Sequence, residues 1–276
     1  MEALRLKGKT IGFVPTMGAL HEGHLSLVRA ARRENDIAVV SIFVNPLQFG
    51  PREDFKKYPR VMKQDSALLK KEKMDYLFSP EPEAMYSKKF STIVEVSKTL
   101  TSVLCGKSRP GHFRGVTTVV AKLFHLAKPH RVYLGAKDYQ QATVIGRMIS
   151  DLNMDIEFRL MPTVRETDGL AMSSRNRYLN TDERARARLI SQTLFWLRDE
   201  ILSGRRDIAA LKGEAYQKLG KKADSVDYLE IVDPETLQSL EKFQPAMVAA
   251  AACFVGKTRL IDNVIISPST KKKKGF

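Results

Sequence analysis

The chain has 276 residues, 43% of them hydrophobic and 28% charged, with a formal net charge of +15. That is ordinary for a globular protein and long enough for two domains, which typically run to ~100–200 residues each. It contains no apolar run of ~18 residues or more, so no transmembrane helix is expected, and the opening M-E-A-L-R-L-K-G-K lacks the apolar core of a signal peptide. The two cysteines, Cys105 and Cys253, form neither a C-x-x-C pair nor a disulfide framework, which fits a reducing cytoplasm and argues against structural zinc. Positive residues are spread along the chain. Their one dense run, Lys271 to Lys274, carries no interleaved aromatics and reads as a solvated end rather than a nucleic-acid arm.

Ile11 to Val14 reads as a buried strand that Pro15 should stop, because proline lacks a ladder N–H. Gly18 and Gly23 bracket a tight connection, after which Leu25, Leu27, Val28, Ala30 and Ala31 mark an amphipathic helix. His21 and His24 sit at that helix start, where N–H groups attract phosphate. The plain alternative is two surface histidines. It is weakened because the chain has only five histidines and two of them are spaced H-x-G-H after a strand.

Ile37 to Val44, nearly continuous and β-branched, suits a parallel strand covered on both faces. A helix over Val61 to Lys73, a short strand at Tyr76 to Phe78 and another at Ile93 to Val96 follow. Then come a helix over Gly115 to Ala127, a strand at Arg131 to Leu134, a helix over Tyr139 to Asp151 and a strand at Ile156 to Leu160. This alternation predicts an α/β fold with a Rossmann-like doubly wound parallel sheet. Past Arg177 the texture changes. Helices are expected over Asp182 to Leu202, with Thr181 as N-cap, and near Ile208 to Leu219. Strands are expected at Val226 to Val232, Met247 to Phe254 and Arg259 to Ile266, the last two joined by a hairpin at Gly256. The predicted division is 1–168 for the first domain and 169–276 for a smaller α+β domain.

Four further stretches carry chemistry. V-N-P-L-Q-F ends the second strand, and Asn45 and Gln48 are amides that both donate and accept. On chemistry alone they serve equally as substrate contacts or as a strand-breaking turn. In S-R-P-G-H-F-R-G-V, Arg109 is an available anion contact and His112 reads as structural. In Y-L-G-A-K-D-Y-Q-Q, Gly135 lets backbone approach a ligand and Lys137 suits phosphate. Asp138 there could simply cap the next helix. In V-R-E-T-D-G-L-A-M-S-S-R, Ser173, Ser174 and Arg175 offer hydroxyl and guanidinium donors, or form a polar interdomain loop.

The stretch T-M-G-A-L-H-E-G-H-L resembles the signature of the nucleotidylyl-transferase-like fold shared with class I aminoacyl-tRNA synthetases. With V-N-P-L-Q-F, F-K-K-Y-P-R, R-P-G-H-F-R-G-V, G-A-K-D-Y-Q-Q and M-S-S-R in order, the chain resembles the pantothenate synthetase (pantoate–β-alanine ligase) family. The resemblance implies ATP-dependent joining of pantoate to β-alanine through a pantoyl adenylate, with release of pyrophosphate and AMP. It implies ATP contacts from Met17, Gly18, Ala19, Leu20, His21, Glu22, Gly23 and His24, from Gly135, Ala136, Lys137 and Asp138, and from Val164, Met172, Ser173, Ser174 and Arg175. His24 would be the proton donor, with His21 and Lys137 beside it in catalysis. Gln48, Gln141 and Asn45 would hold pantoate, and Gln48 also β-alanine. Tyr58 would line the site, with Gly50 to Pro59 as a mobile edge and the second domain closing over the site. Mg²⁺ on the phosphates, without an assignable protein ligand, and a cytoplasmic homodimer without nucleic-acid or membrane partners complete the expectation. A nucleotidylyltransferase acting on a phosphorylated substrate would share H-x-G-H, but the paired glutamines suit a non-phosphorylated acid. A non-catalytic RNA-binding relative of the synthetases is opposed by the intact donor set.

Overall fold

The computed structural model describes residues 1–51 and 53–267, and the Lys271 to Lys274 run lies outside them. Five parallel strands form one sheet: β1 (Ile11–Thr16), β2 (Ile37–Ile42), β3 (Tyr76–Phe78), β4 (Arg131–Gly135) and β5 (Glu157–Met161). Their order is β3-β2-β1-β4-β5, the doubly wound arrangement expected. Three antiparallel strands, β6 (Ser225–Val232), β7 (Met247–Val255) and β8 (Thr258–Ile266), form a second sheet in the order β6-β7-β8. The chain divides into two compact units. The first holds 1–101, 109–136 and 141–164; the second holds 102–108, 137–140 and the described residues from Arg165 onward.

The first unit's core lies where the helix Glu22–Glu34 sets Leu27, Val28, Ala30 and Ala31 against Val14, Val40 and Tyr133. β1 lies at the centre of this sheet, and Pro15 lies inside it rather than after it. The expected stop at Pro15 is therefore corrected, and hydrogen-bond direction explains why. Thr10 and Thr16 accept from Ile37 and Phe43 of the β2 side, whereas Ile11 accepts from His130 at the start of β4. Even positions of β1 thus face β2 and odd positions face β4, so the donor that Pro15 lacks faces β4 alone. Pairing with β2 runs the full length to Thr16↔Ile42, whereas pairing with β4 ends at Phe13↔Val132. β4 nevertheless continues along β5 to Gly135↔Met161. The sheet consequently parts between β1 and β4 at its carboxyl edge.

Ile93 to Val96 is not a strand. Its Val94 is held instead by hydroxyls of the helix His112–Ala127: Thr118 Oγ1 accepts from Val94 N at 3.0 Å and Thr117 Oγ1 donates to Val94 O at 2.6 Å. In the second unit the helix Thr181–Ser203 packs Ile190, Leu194 and Leu197 on β7, whose Ala249 and Ala251 leave room for them, and the helix Ile208–Gly220 lies against β6, with Leu211 in the same core. The N-cap of the long helix is Asn180, not Thr181. Asn180 Oδ1 accepts from Glu183 N at 2.9 Å, and Glu183 Oε2 accepts from Asn180 N at 2.9 Å, a reciprocal box that Thr181 is one residue too late to make.

Ile11 and His130 exchange two hydrogen bonds where β1 and β4 begin, since Ile11 N also donates to His130 Nδ1 at 3.0 Å. That bond requires an unprotonated Nδ1, and burial, then the Arg5 charge, holds the ring below its ordinary 6.5. Below pH 6.5 the unfolded chain binds the proton first. The stability tied to this contact is therefore present above that pH and lost as pH falls through the depressed folded value. Urea unfolding at pH 7 and pH 5 is expected to show a steeper loss for the native chain than for His130→Gln. Parallel pH dependences would refute this role.

Candidate active site at the carboxyl edge

Chain leaving β1 turns at once. Gly18 and Ala19 both have positive φ, 82° and 51°, a conformation that costs a β-carbon-bearing residue roughly 1–2 kcal/mol. Asp65, 2% exposed on the helix Met62–Lys71, supports it. Its two carboxylate oxygens accept from Ala19 N and Leu20 N, each at 2.8 Å. Thr16 Oγ1 adds a bond from Gly18 N at 3.2 Å. A Cβ on Gly18 would lie 2.9 Å from Ile42 Cγ2 and 3.0 Å from Asp65 Oδ2, so glycine is required there for space as well as for φ.

This turn delivers His21 and His24 to the first turn of the helix Glu22–Glu34, their ring centroids 4.1 Å apart. His24 Nδ1 accepts from His21 N at 3.4 Å, which leaves the neutral ring's proton on Nε2. Glu22 is exposed and its carboxylate is paired with Arg29, which lowers its pKa by hydrogen bonding. Gly23 accepts through its carbonyl from Ser26 Oγ at 2.8 Å.

After β2 the chain forms a 3-10 turn, Pro46–Gln48, packed on the helix His112–Ala127 so closely that a Cβ at Gly115 would lie 2.2 Å from Leu47 O. Asn45 is 1% exposed. Its Nδ2 donates to Gln48 Oε1 and Gly115 O, both at 3.1 Å, while its Oδ1 accepts from Tyr86 Oη at 2.7 Å and Leu47 N at 3.3 Å. All four bonding positions of that amide are filled within the fold, so Asn45 fixes the orientation of Gln48. Gln48 Nε2 in turn donates to Met17 Sδ at 3.2 Å.

The Gln48 carbonyl accepts from His112 Nδ1 at 2.8 Å, and His112 Nε2 lies 3.0 Å from Arg109 Nη1. Arginine can only donate and a carbonyl can only accept, so this network selects the neutral Nδ1–H tautomer of His112. Arg109 is held by Glu53 through two bonds of 2.6 Å. Burial pushes the Glu53 carboxyl up, but the Arg109 hydrogen bonds and charge outweigh it and hold it below the usual value. Arg109 thus braces the Gln48 turn with its charge already matched. Tyr58 is buried, its ring edge-on to Phe49 at 6.0 Å.

β4 ends at Gly135, where a Cβ would meet no protein atom within 4 Å, and Ala136 beyond it is buried. Gln141 is half-buried at the start of the helix Tyr139–Asp151, and Val164, also half-buried, lies three residues past β5. Turn, amides and strand ends therefore share the carboxyl edge at the switch in strand order, where open α/β sheets bind ligands.

In the second unit, Lys137 Nζ lies 3.3 Å from Asp138 Oδ1. Gln140 is committed to packing: its Oε1 accepts from Cys105 N at 2.9 Å and its Nε2 donates to Val103 O at 2.8 Å. Met172 and Ser173 precede a 3-10 turn, Ser174–Tyr178, that Ser173 Oγ caps by accepting from Arg175 N at 3.3 Å. Ser174 is buried and Arg175 half-buried. Asn176 braces this turn by donating to Glu166 Oε1 and Ala171 O, both at 3.0 Å. Among the described residues no three of His, Cys, Asp and Glu come together as a metal-binding group.

Asp65, Glu53 and Tyr86 escaped the reading of the sequence, and Gly115 was placed only as the start of a helix, without its close packing against Leu47.

A family model described as pantoate-beta-alanine ligase matches residues 1–265. The pantothenate synthetase of Thermosipho melanesiensis is 57% identical over 261 residues, covering 95% of this chain and 93% of its own. That of Thermotoga neapolitana is 56% identical over 266 residues, covering 96% and 95%. Among solved structures, the pantothenate synthetase of Thermus thermophilus has 46% identity and a TM-score of 0.91, with 94% of each chain covered. The pantoate-beta-alanine ligase of Francisella tularensis, complexed with beta-gamma ATP and beta-alanine, has 38% identity and a TM-score of 0.78, covering 94% of this chain and 90% of its own.

Asp65→Ala would orphan two buried N–H groups at a strained turn, each worth ~1–3 kcal/mol. A loss of about 2 kcal/mol or more by denaturant titration is expected, with Asp65→Asn intermediate because it keeps one acceptor oxygen. Stability within about 0.5 kcal/mol of native for Asp65→Ala, the usual range for a neutral surface change, would show that the turn holds without it.

Proposed function

The chain belongs to the pantoate–β-alanine ligase family and condenses pantoate with β-alanine using ATP; we propose that it does so through a pantoyl adenylate built at the residues described above. A pantoate carboxylate oxygen attacks the α-phosphorus of ATP, the bond to the β-phosphate breaks and pyrophosphate leaves. The β-alanine amine then attacks the acyl carbon, the acyl–phosphate C–O bond breaks, the amine gives up a proton and AMP leaves. What supports this most is that the H-x-G-H turn leaves β1 at the edge where β1 and β4 part.

ATP would lie along Met17 to His24, Gly135 to Asp138, Val164 and Met172 to Arg175. His24 donates its Nε2–H as a hydrogen bond to the oxygen that gathers charge, and His21 and Lys137 stabilise the phosphates by preorganised charge and hydrogen bonding. The open space over Gly135 supports close backbone approach there. Gln48 and Gln141 bind pantoate, Gln48 also meets β-alanine, and Asn45 belongs to the same site through its grip on Gln48. Mg²⁺ accompanies the triphosphate, where it needs few protein ligands, and no residue of this chain is assigned to it. We place the C-terminal domain as the element that closes over the site, and the enzyme as a cytoplasmic homodimer. Two buried free thiols are compatible with a reducing compartment, and no helix of the described residues is long and apolar enough to cross a membrane. The homodimer rests on the family resemblance.

Purified protein given ATP, Mg²⁺, pantoate and β-alanine should yield pantothenate and AMP, and should release pyrophosphate with pantoate alone. Release that strictly requires β-alanine would count against a free-standing adenylate step. His24→Ala is expected to slow adenylate formation at least a hundredfold, the usual cost of one preorganised donor, with the melting temperature nearly unchanged. Pyrophosphate release near the native rate would remove His24 from the chemistry.

Gln141→Ala is expected to raise the pantoate KM with little change for ATP, an unpaired partner costing ~1–3 kcal/mol. Gln48→Ala should affect pantoate and β-alanine together. The assignment of both amides to the acid site fails if titrating each substrate shows ATP dependence shifting most.

A further inference from the structure

The segment 137–140 belongs to the second unit although it directly follows β4 in the chain. Three stretches of that unit hold it. Gln140 is bonded to Val103 and Cys105, Tyr139 Oη donates to Pro234 O at 3.2 Å, and Asn263 Nδ2 donates to Lys137 O at 2.8 Å. The last bond is the one closest to chemistry, because it fixes the backbone from which the Lys137 side chain extends. A lysine has a flexible four-carbon stem, so where its ammonium can reach depends on where its main chain is pinned.

Asn263 is itself rigidly placed. It lies on β8, 5% exposed. Its N–H donates to Asp262 Oδ1 at 2.7 Å and its carbonyl accepts from Arg165 Nη2 at 3.3 Å. Arg165 also holds Asp262 bidentately at 2.7 and 3.0 Å and stacks 4.6 Å above the Phe195 ring. The direction of the amide is settled by its partner: a backbone carbonyl only accepts, so the nitrogen of Asn263 faces it.

We propose that Asn263 is a positioning residue for Lys137, acting through the Lys137 carbonyl, and that the Arg165–Asp262 pair keeps Asn263 in place. The proposal rests on the reading that Lys137 stabilises the phosphates in adenylate formation. It predicts a defect confined to the first half-reaction, which a general packing role would not produce.

The test uses Asn263→Asp, which keeps the shape and replaces the donor with an acceptor, and Asn263→Ala, which removes the donor without adding charge. Both are made in the native chain and in Lys137→Ala. Pyrophosphate release with pantoate and ATP is expected to fall about tenfold or more in the single Asn263 variants, as small misplacements do. Consumption of preformed pantoyl adenylate with β-alanine should stay near native. In the Lys137→Ala background the Asn263 changes should add nothing, because the group they position is gone. A full, multiplicative loss in that background, an equal loss in both half-reactions, or no loss at all would overturn the proposal. So would failure of both Asn263 variants to fold, which would make Asn263 a residue of the fold. If Lys137→Ala is impaired while the Asn263 variants are not, only this inference falls. If Lys137→Ala adenylates at the native rate, the phosphate role of Lys137 falls and the inference with it.

Discussion

A missing hydrogen-bond donor shapes the proposed active-site edge. β1 is the central strand, and its odd positions present their N–H and C=O groups to β4. Proline at position 15 removes one donor on that side only, so β1 stays paired with β2 to its end while its ladder to β4 stops after two residue pairs. The helix that covers β1 begins at Glu22, and the turn that joins them lies at the mouth of the gap. A proline in a central strand usually counts against the assignment of a strand at all; here it opens the sheet at the point where strand order reverses.

Around that opening, backbone is held by side chains rather than by regular secondary structure. Asp65 takes two amides of the Gly18–Leu20 turn, His112 and Arg109 take the Gln48 carbonyl, and Asn45 takes its side chain. Each holding group is buried or ion-paired, and each donates or accepts in a fixed direction. The Gln48 side chain is therefore held in one orientation, because Asn45 has no bonding position left with which to adapt. The M-S-S-R turn in the second unit follows the same rule, with Ser173 Oγ taking the Arg175 N–H and Asn176 holding the Ala171 carbonyl just before it.

The parallel sheet was legible because β2 is a continuous apolar, β-branched run and because strands alternate with amphipathic helices. The H-x-G-H turn and the G-A-K-D stretch were legible because histidine and glycine are informative at strand ends. Three readings failed for physical reasons. Pro15 was read as a stop because a sequence does not say which neighbour a donor faces. Ile93 to Val96 looked like a strand because its partners, Thr117 and Thr118, are hydroxyls on a helix some twenty residues later. The cap was placed at Thr181 because a threonine hydroxyl can cap, and only geometry shows that it is the Asn180 side chain that reaches Glu183. Asp65 was beyond reach altogether, since a lone aspartate on an amphipathic helix looks like any solvated acid until the turn it supports is in view.

Gly135 has a consequence of another kind. A methyl group added there would touch nothing in the protein, and no left-handed φ demands glycine at that residue. The fold is indifferent to what stands at the end of β4, so a demand for a bare strand end would come from the proposed ligand. Such a residue is a natural escape route from competitive inhibitors: one added methyl could exclude a bulky scaffold lying across the strand end without weakening the enzyme's folding. With the nucleotide placed as proposed, inhibitors that stay within its outline at this point would close that route, because a side chain that rejects them would reject the substrate as well.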